Sequence, residues 1–159
     1  MDRILIAVDG SPASNEAVAI GVELAAEQGA DVTFVHVAPI LDVAPVMGFP
    51  IAAALPHIVS AHDRASLDSA VIYAGEHGVA AETELLRGDP VDEIVAHADS
   101  LGADLIVVGS RGHGTFTNAL LGSVSRGILH ESKRPVLVVR GDAKSVPARL
   151  CGDLASSHA

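Results

Sequence analysis

The segment Gly109-Ser110-Arg111-Gly112 follows a short apolar run, and nine residues beyond it the chain reads Gly122-Ser123-Val124-Ser125. Glycine lacks a Cβ, so another group can approach the backbone closely there and the chain can take unusual angles. Ser123 opens a segment of helical period. The first amides of a helix have no acceptor within it and lie at the positive end of its dipole. Such a surface suits an anion, phosphate above all. Ser123 and Ser125 can add hydroxyl donors, and Gly122 can admit phosphate oxygens without a Cβ in the way. The chemistry this predicts is a phosphate cradle built mainly of main-chain N–H groups, with hardly any help from cations.

A second group of polar residues, Asp9-Gly10-Ser11, closes the first apolar run, Ile4-Leu5-Ile6-Ala7-Val8. Parallel α/β sheets bind ligands beyond the carboxyl ends of their strands, where strand order reverses. If the first and fourth strands are neighbours, Asp9 and the glycine segment open into one crevice. Other known devices are missing. The chain has no GxxxxGK[ST], no GxGxxG after its first strand, no HExxH and no GxSxG.

These groups need elements to hold them, and short apolar runs alternating with helix-period segments supply βαβ units. Strands are expected at 4–8, 32–37, 80–86, 105–108 and 135–140. Helices are expected at 12–28, 57–77, 90–101 and 123–131. Ser11-Pro12 reads as a cap followed by proline in the first turn, and Gly29, Gly78 and Gly102 read as helix stops. The second strand is apolar on both faces and so should be buried on both. Between Ala38 and Pro56, five prolines and glycines (Pro39, Pro45, Gly48, Pro50, Pro56) argue against one regular helix. A loop of that length inside a small domain is often a lid or contact surface. The expectation is one domain over 1–141 and a disordered tail over 142–159.

Composition sets the outer limits. The formal charge of −10 disfavours nucleic acid and anionic membrane as partners. Cys151 is the only cysteine, so no internal disulfide and no cysteine metal cluster can form. The start, Met1-Asp2-Arg3, runs directly into a strand without a leader pattern, and no apolar stretch has the length of a membrane span. A cytoplasmic location is expected.

Gly109-x2-Gly112-x9-Gly122-Ser123 resembles the G-x2-G-x9-G-[ST] motif of ATP-binding universal stress proteins. The opening Ile6-Ala7-Val8-Asp9-Gly10-Ser11 and the closing Arg134-Pro135-Val136-Leu137-Val138-Val139 are similar to that family as well. The resemblance implies an open, Rossmann-like five-stranded parallel sheet of order 3-2-1-4-5 with about four helices on both faces. It implies ATP as ligand, with a Mg or Mn ion held through the phosphates and no dedicated metal site. Asp9 then lies near the ribose or the phosphates and their metal, and Val37 offers backbone groups to adenine. Gly109 and Gly112 approach the ribose and α-phosphate, while Gly122, Ser123, Val124 and Ser125 hold the outer phosphates. It further implies a homodimer through the fifth strand, Val136 to Val139, and a stress-response or signalling module acting on an unknown protein partner.

The glycine motif favours a ligand role for Asp9 over a place in the turn before a helix, Ser11 reads as a cap, and Arg111 and His113 read as exposed loop residues. His36, inside a strand, reads as a satisfied structural histidine. Asp89, Asp92 and Glu93 read as charges of a first helical turn. The rival function is a slow ATPase or nucleotidyl-transfer enzyme of the same superfamily, for which no general base is evident and no catalytic residue is assigned. A receiver-like phospho-acceptor fits poorly, because the third strand ends in Leu86-Arg87-Gly88 without an aspartate.

Overall fold

Ile4, Leu5 and Ile6 are consecutive and fully buried, yet they serve two different cores. They belong to strand β1 (Arg3–Ala7), whose side chains point alternately to opposite faces of a sheet. Ile4 and Ile6 pack with Val18 and Val22 on one face, while Leu5 packs with Ile94 and Ile128 on the other. The computed structural model describes residues 1–38, 61–112 and 121–141, with side chains given from residue 64 in the second segment. The tail expected over 142–159, the loop over 39–56 and the start of the second helix at 57–60 lie outside the described residues.

The remaining elements are α1 (Pro12–Gln28), β2 (Asp31–Ala38), α2 (Ala61–Glu76), β3 (Ala81–Arg87), α3 (Pro90–Leu101), β4 (Leu105–Gly109), α4 (Ser123–Glu131) and β5 (Val136–Val139). The sheet is parallel throughout, in the order β3-β2-β1-β4-β5. Helices α1 and α2 cover one face, and α3 and α4 the other. Strand β4 repeats the two-faced pattern of β1, with Leu105 and Val107 in the first core and Ile106 and Val108 in the second. Burying each such aliphatic side chain contributes about 1.5–3 kcal/mol. Val32 to His36 are all buried, as a strand covered on both sides requires.

Two helices start as their sequences dictate. Ser11 Oγ accepts the Ser14 amide at 3.2 Å, and Asp89 Oδ1 accepts those of Val91 at 2.9 Å and Asp92 at 3.3 Å. Helix α1 also lies very close to the sheet, because a Cβ at Gly21 would come within 2.5 Å of Ile6 Cδ1. At the amino ends of the strands, Asp104 Oδ2 accepts the amides of Asp2 at 2.6 Å and Arg3 at 3.1 Å. Those two bonds, the first above all, hold the Asp104 carboxyl below the usual carboxylate range. Arg134 adds a 3.0 Å ion pair to Asp99 and a 3.1 Å bond to the Ala103 carbonyl. These ties close the end of the sheet opposite the crevice. Among the described residues, no helix is long and apolar enough to cross a membrane.

Candidate functional site

Strand order reverses between β1 and β4, which pair directly with Ile4 opposite Leu105 and Ile6 opposite Val107. Beyond their carboxyl ends lies a cleft of about 600 Å³, within the range of small-molecule and cofactor sites. All eight residues singled out from the sequence line it: Asp9, Val37, Gly109, Gly112, Gly122, Ser123, Val124 and Ser125. Its apolar wall comes from Ala7, Val35, Val37, Ile94, Val108 and Leu121.

Asp9 lines the cleft and also shapes the turn before α1. Its Oδ1 accepts the Ser11 amide at 2.9 Å, and its own amide donates to Ser14 Oγ at 3.0 Å, so it forms the turn into α1. Gly10, at φ 76°, makes that tight turn possible. The other carboxylate oxygen faces the glycine loop, since a Cβ at Gly112 would lie 2.5 Å from Asp9 Oδ2.

The glycines differ in what they are for. Gly109 and Gly112 allow both close approach and unusual backbone angles, and neither has a positive φ. At Gly109 the need is close packing: a Cβ would lie 2.7 Å from the Ala13 carbonyl carbon and 2.8 Å from the Ser14 nitrogen. Gly122 is the exception. Its φ of −70° and ψ of 167° are open to any residue. A Cβ there would meet Ser110 O at 3.4 Å and Arg111 Cα at 3.5 Å, close to ordinary contact. Its amide donates to Ser110 O at 2.7 Å.

Gly122 is the N-cap of α4 and offers no side-chain cap bond, in contrast to Ser11 and Asp89. The leading amides of α4, from Ser123, Val124 and Ser125, therefore border the cleft without a capping side chain. Ser125 corrects one expectation. It is buried, and its hydroxyl lies 3.2 Å from Ser110 O and 3.1 Å from Gly122 O, so its proton is spent fastening α4 to the loop. Ser123 is exposed and lines the cleft.

Two arginines also line the cleft, against the expectation of a cradle nearly without cations. Arg111, read as an exposed loop residue, is exposed and yet part of the wall. Arg126, which sequence reasoning overlooked, joins it and donates to the Leu121 carbonyl at 3.3 Å. One helical turn separates Arg126 from Gly122, and that spacing was the available signal. His36 is buried, with Nδ1 at 2.6 Å from the Val8 carbonyl, which is the structural role read for it. His113 lies outside the described residues. Asp9 is the one carboxylate among the described lining residues, and no group of three potential metal ligands occurs among the described residues.

Comparison with known proteins converges on one family. The profile described as the universal stress protein family matches residues 1–140. Universal stress protein YxiE of Bacillus subtilis is 36% identical over 146 residues, spanning 87% of this chain and 99% of its own length. A universal stress protein solved in complex with cAMP matches with a TM-score of 0.65 and 30% identity, spanning 89% of this chain and 98% of its own. The universal stress protein from Archaeoglobus fulgidus solved in complex with dAMP matches with a TM-score of 0.62 and 25% identity, spanning 87% and 97%.

Proposed function

The chain belongs to the universal stress protein family, and from that premise we propose that it is an ATP-binding stress-response and signalling module of the cytoplasm. The observation that carries this reading is Gly122 with the leading amides of α4. Among the described residues, neither the backbone nor the packing requires glycine there, and no side chain caps the helix. A phosphate group arriving from the cleft accounts for both features. Two relatives were solved with adenine nucleotides, cAMP and dAMP, which supports the same ligand class here.

In this reading the adenine lies against the apolar wall beside Val37 and takes hydrogen bonds from its backbone. Asp9 faces the ribose or the phosphates and their metal. Gly109 and Gly112 flank the ribose and α-phosphate, and Gly122 to Ser125 receive the outer phosphates. A Mg or Mn ion rides on the phosphates, with Asp9 the only carboxylate of the described wall to meet it. ATP occupancy alters the loop after Gly112, and a protein partner reads the change. The domain spans 1–141 and acts as a homodimer through β5.

Titration calorimetry with Mg-ATP and with AMP tests the reading. ATP should saturate one site per chain and bind at least tenfold more tightly than AMP, about 1.4 kcal/mol, because only ATP reaches the α4 amides. No heat and no saturation with ATP would sink it. A second reading, slow ATP hydrolysis, is favoured by Arg111 and Arg126, since guanidinium groups can stabilise charge on a transferring phosphoryl group. Steady turnover abolished by Asp9→Ala would put that reading first.

A further inference from the structure

Behind the glycine loop, on the side of α1, lies a second cavity of about 380 Å³. Arg111 and Arg140 line it, brought together from the ends of β4 and β5. The other walls are Ser11 to Ala13, Ser110, Gly112 and Gly141, so no carboxylate is among its described lining residues. This is unusual in a chain with twenty acidic and ten basic residues. The ion pairs formed among the described residues use Arg134 and the amino terminus, and neither of these two guanidinium groups. The start of α1 does not supply the charge, because Ser11 already caps it and Pro12 has no N–H.

The walls are held firmly. A Cβ at Gly141 would lie 2.5 Å from Ala13 Cα, so the exit of β5 is pressed onto α1 beside Arg140. Ser11, only 1% exposed, donates its hydroxyl to the Arg111 carbonyl at 3.1 Å and pins the loop. The guanidinium groups of two arginines lining one small cavity match the oxygens of a tetrahedral oxyanion, which can accept paired N–H donors from each. We propose that this cavity, which shares Arg111 and Gly112 with the cleft but extends away from it to Arg140, is a second anion site that takes a phosphate dianion or a phosphate monoester. It does not rest on the nucleotide reading, because Arg140 lines this cavity and not the cleft.

The test is residue-resolved amide NMR of the full chain, titrated with inorganic phosphate and separately with O-phosphoserine, against chloride at matched ionic strength. We expect saturable shifts at Ala13, Ser110 and Gly141, with a dissociation constant on the order of 1 mM. Arg140→Gln should weaken this binding at least tenfold and Arg140→Lys by less, with the rest of the spectrum unchanged. The tighter of the two ligands names the source, free anion or esterified group. Shifts that fail to saturate, that chloride reproduces, that are confined to Gly122–Ser125, or that persist in Arg140→Gln with undiminished affinity would each overturn the proposal.

Discussion

At the scale of single residues, three glycines of one motif have three different physical causes. Gly109 is fixed by the backbone of α1, Gly112 by the Asp9 carboxylate, and Gly122 by nothing within the described protein. That difference yields a graded prediction. Gly122→Ala should leave the fold intact, since its Cβ meets near-ordinary contacts. Gly122→Val should cut ATP affinity by more than tenfold, about 1.4 kcal/mol or more, while the circular dichroism melt stays close to wild type. Undiminished affinity in calorimetry would show that the phosphates lie elsewhere. The spacing of the glycines was legible in the sequence, but their causes were not. Gly109 meets Ala13 from 96 positions away, and no local pattern encodes such a contact. Tyr73 gives a separate test. Burial raises its phenol above the usual value, helped by the nearby carboxylates of Glu23, Glu16 and Glu76. The folded state therefore holds the phenolic proton more tightly than the unfolded chain does. Its contribution to stability is present below the ordinary tyrosine pKa and is lost as pH rises through the raised one. Ultraviolet titration should place its midpoint above that of free tyrosine, and Tyr73→Phe should remove that alkaline loss of stability.

At the scale of elements, helices were the easier reading because their boundary chemistry is local. Ser11-Pro12 and the glycines at 29 and 102 act within a few residues of themselves and as the sequence suggests, while Asp89, read as a first-turn charge, is the N-cap of α3. Strand β3 carries the least apolar pattern of the five because it is a half-exposed edge: Glu82, Thr83 and Glu84 face solvent. The order of the strands came from family resemblance, since alternating βαβ units by themselves allow more than one order. The two caps separate a local role from a tertiary one. Asp89→Ala removes an exposed cap and should cost about 1 kcal/mol. Ser11→Ala removes a buried cap that also bonds the Arg111 carbonyl, and the orphaned buried group adds about 1–3 kcal/mol. Urea melts of the two variants should rank in that order. Equal losses would mean that Ser11 is only a cap.

At the scale of the whole molecule, β5 is the element whose partner is incomplete. It closes one edge of the sheet, and its pairing with β4 uses alternate residues. The carbonyls of Pro135 and Val139 accept the Ile106 and Ser110 amides. N–H and C=O of one strand residue point the same way, so Val136 and Val138 turn their backbone groups to the open side. Val136, Leu137 and Val138 are only half-buried in the single chain. An apolar edge whose outward backbone groups meet no partner among the described residues invites a second strand, and a second copy of β5 is the partner the family resemblance implies. Light scattering at micromolar concentration should give twice the chain mass. Val138→Pro removes an outward donor without touching the ladder to β4, a placement that sheets tolerate at edges. It should yield a folded monomer that still binds nucleotide, because the cleft is walled by residues of one chain. A wild-type monomer, or a Val138→Pro protein that remains dimeric, would move the interface away from this strand.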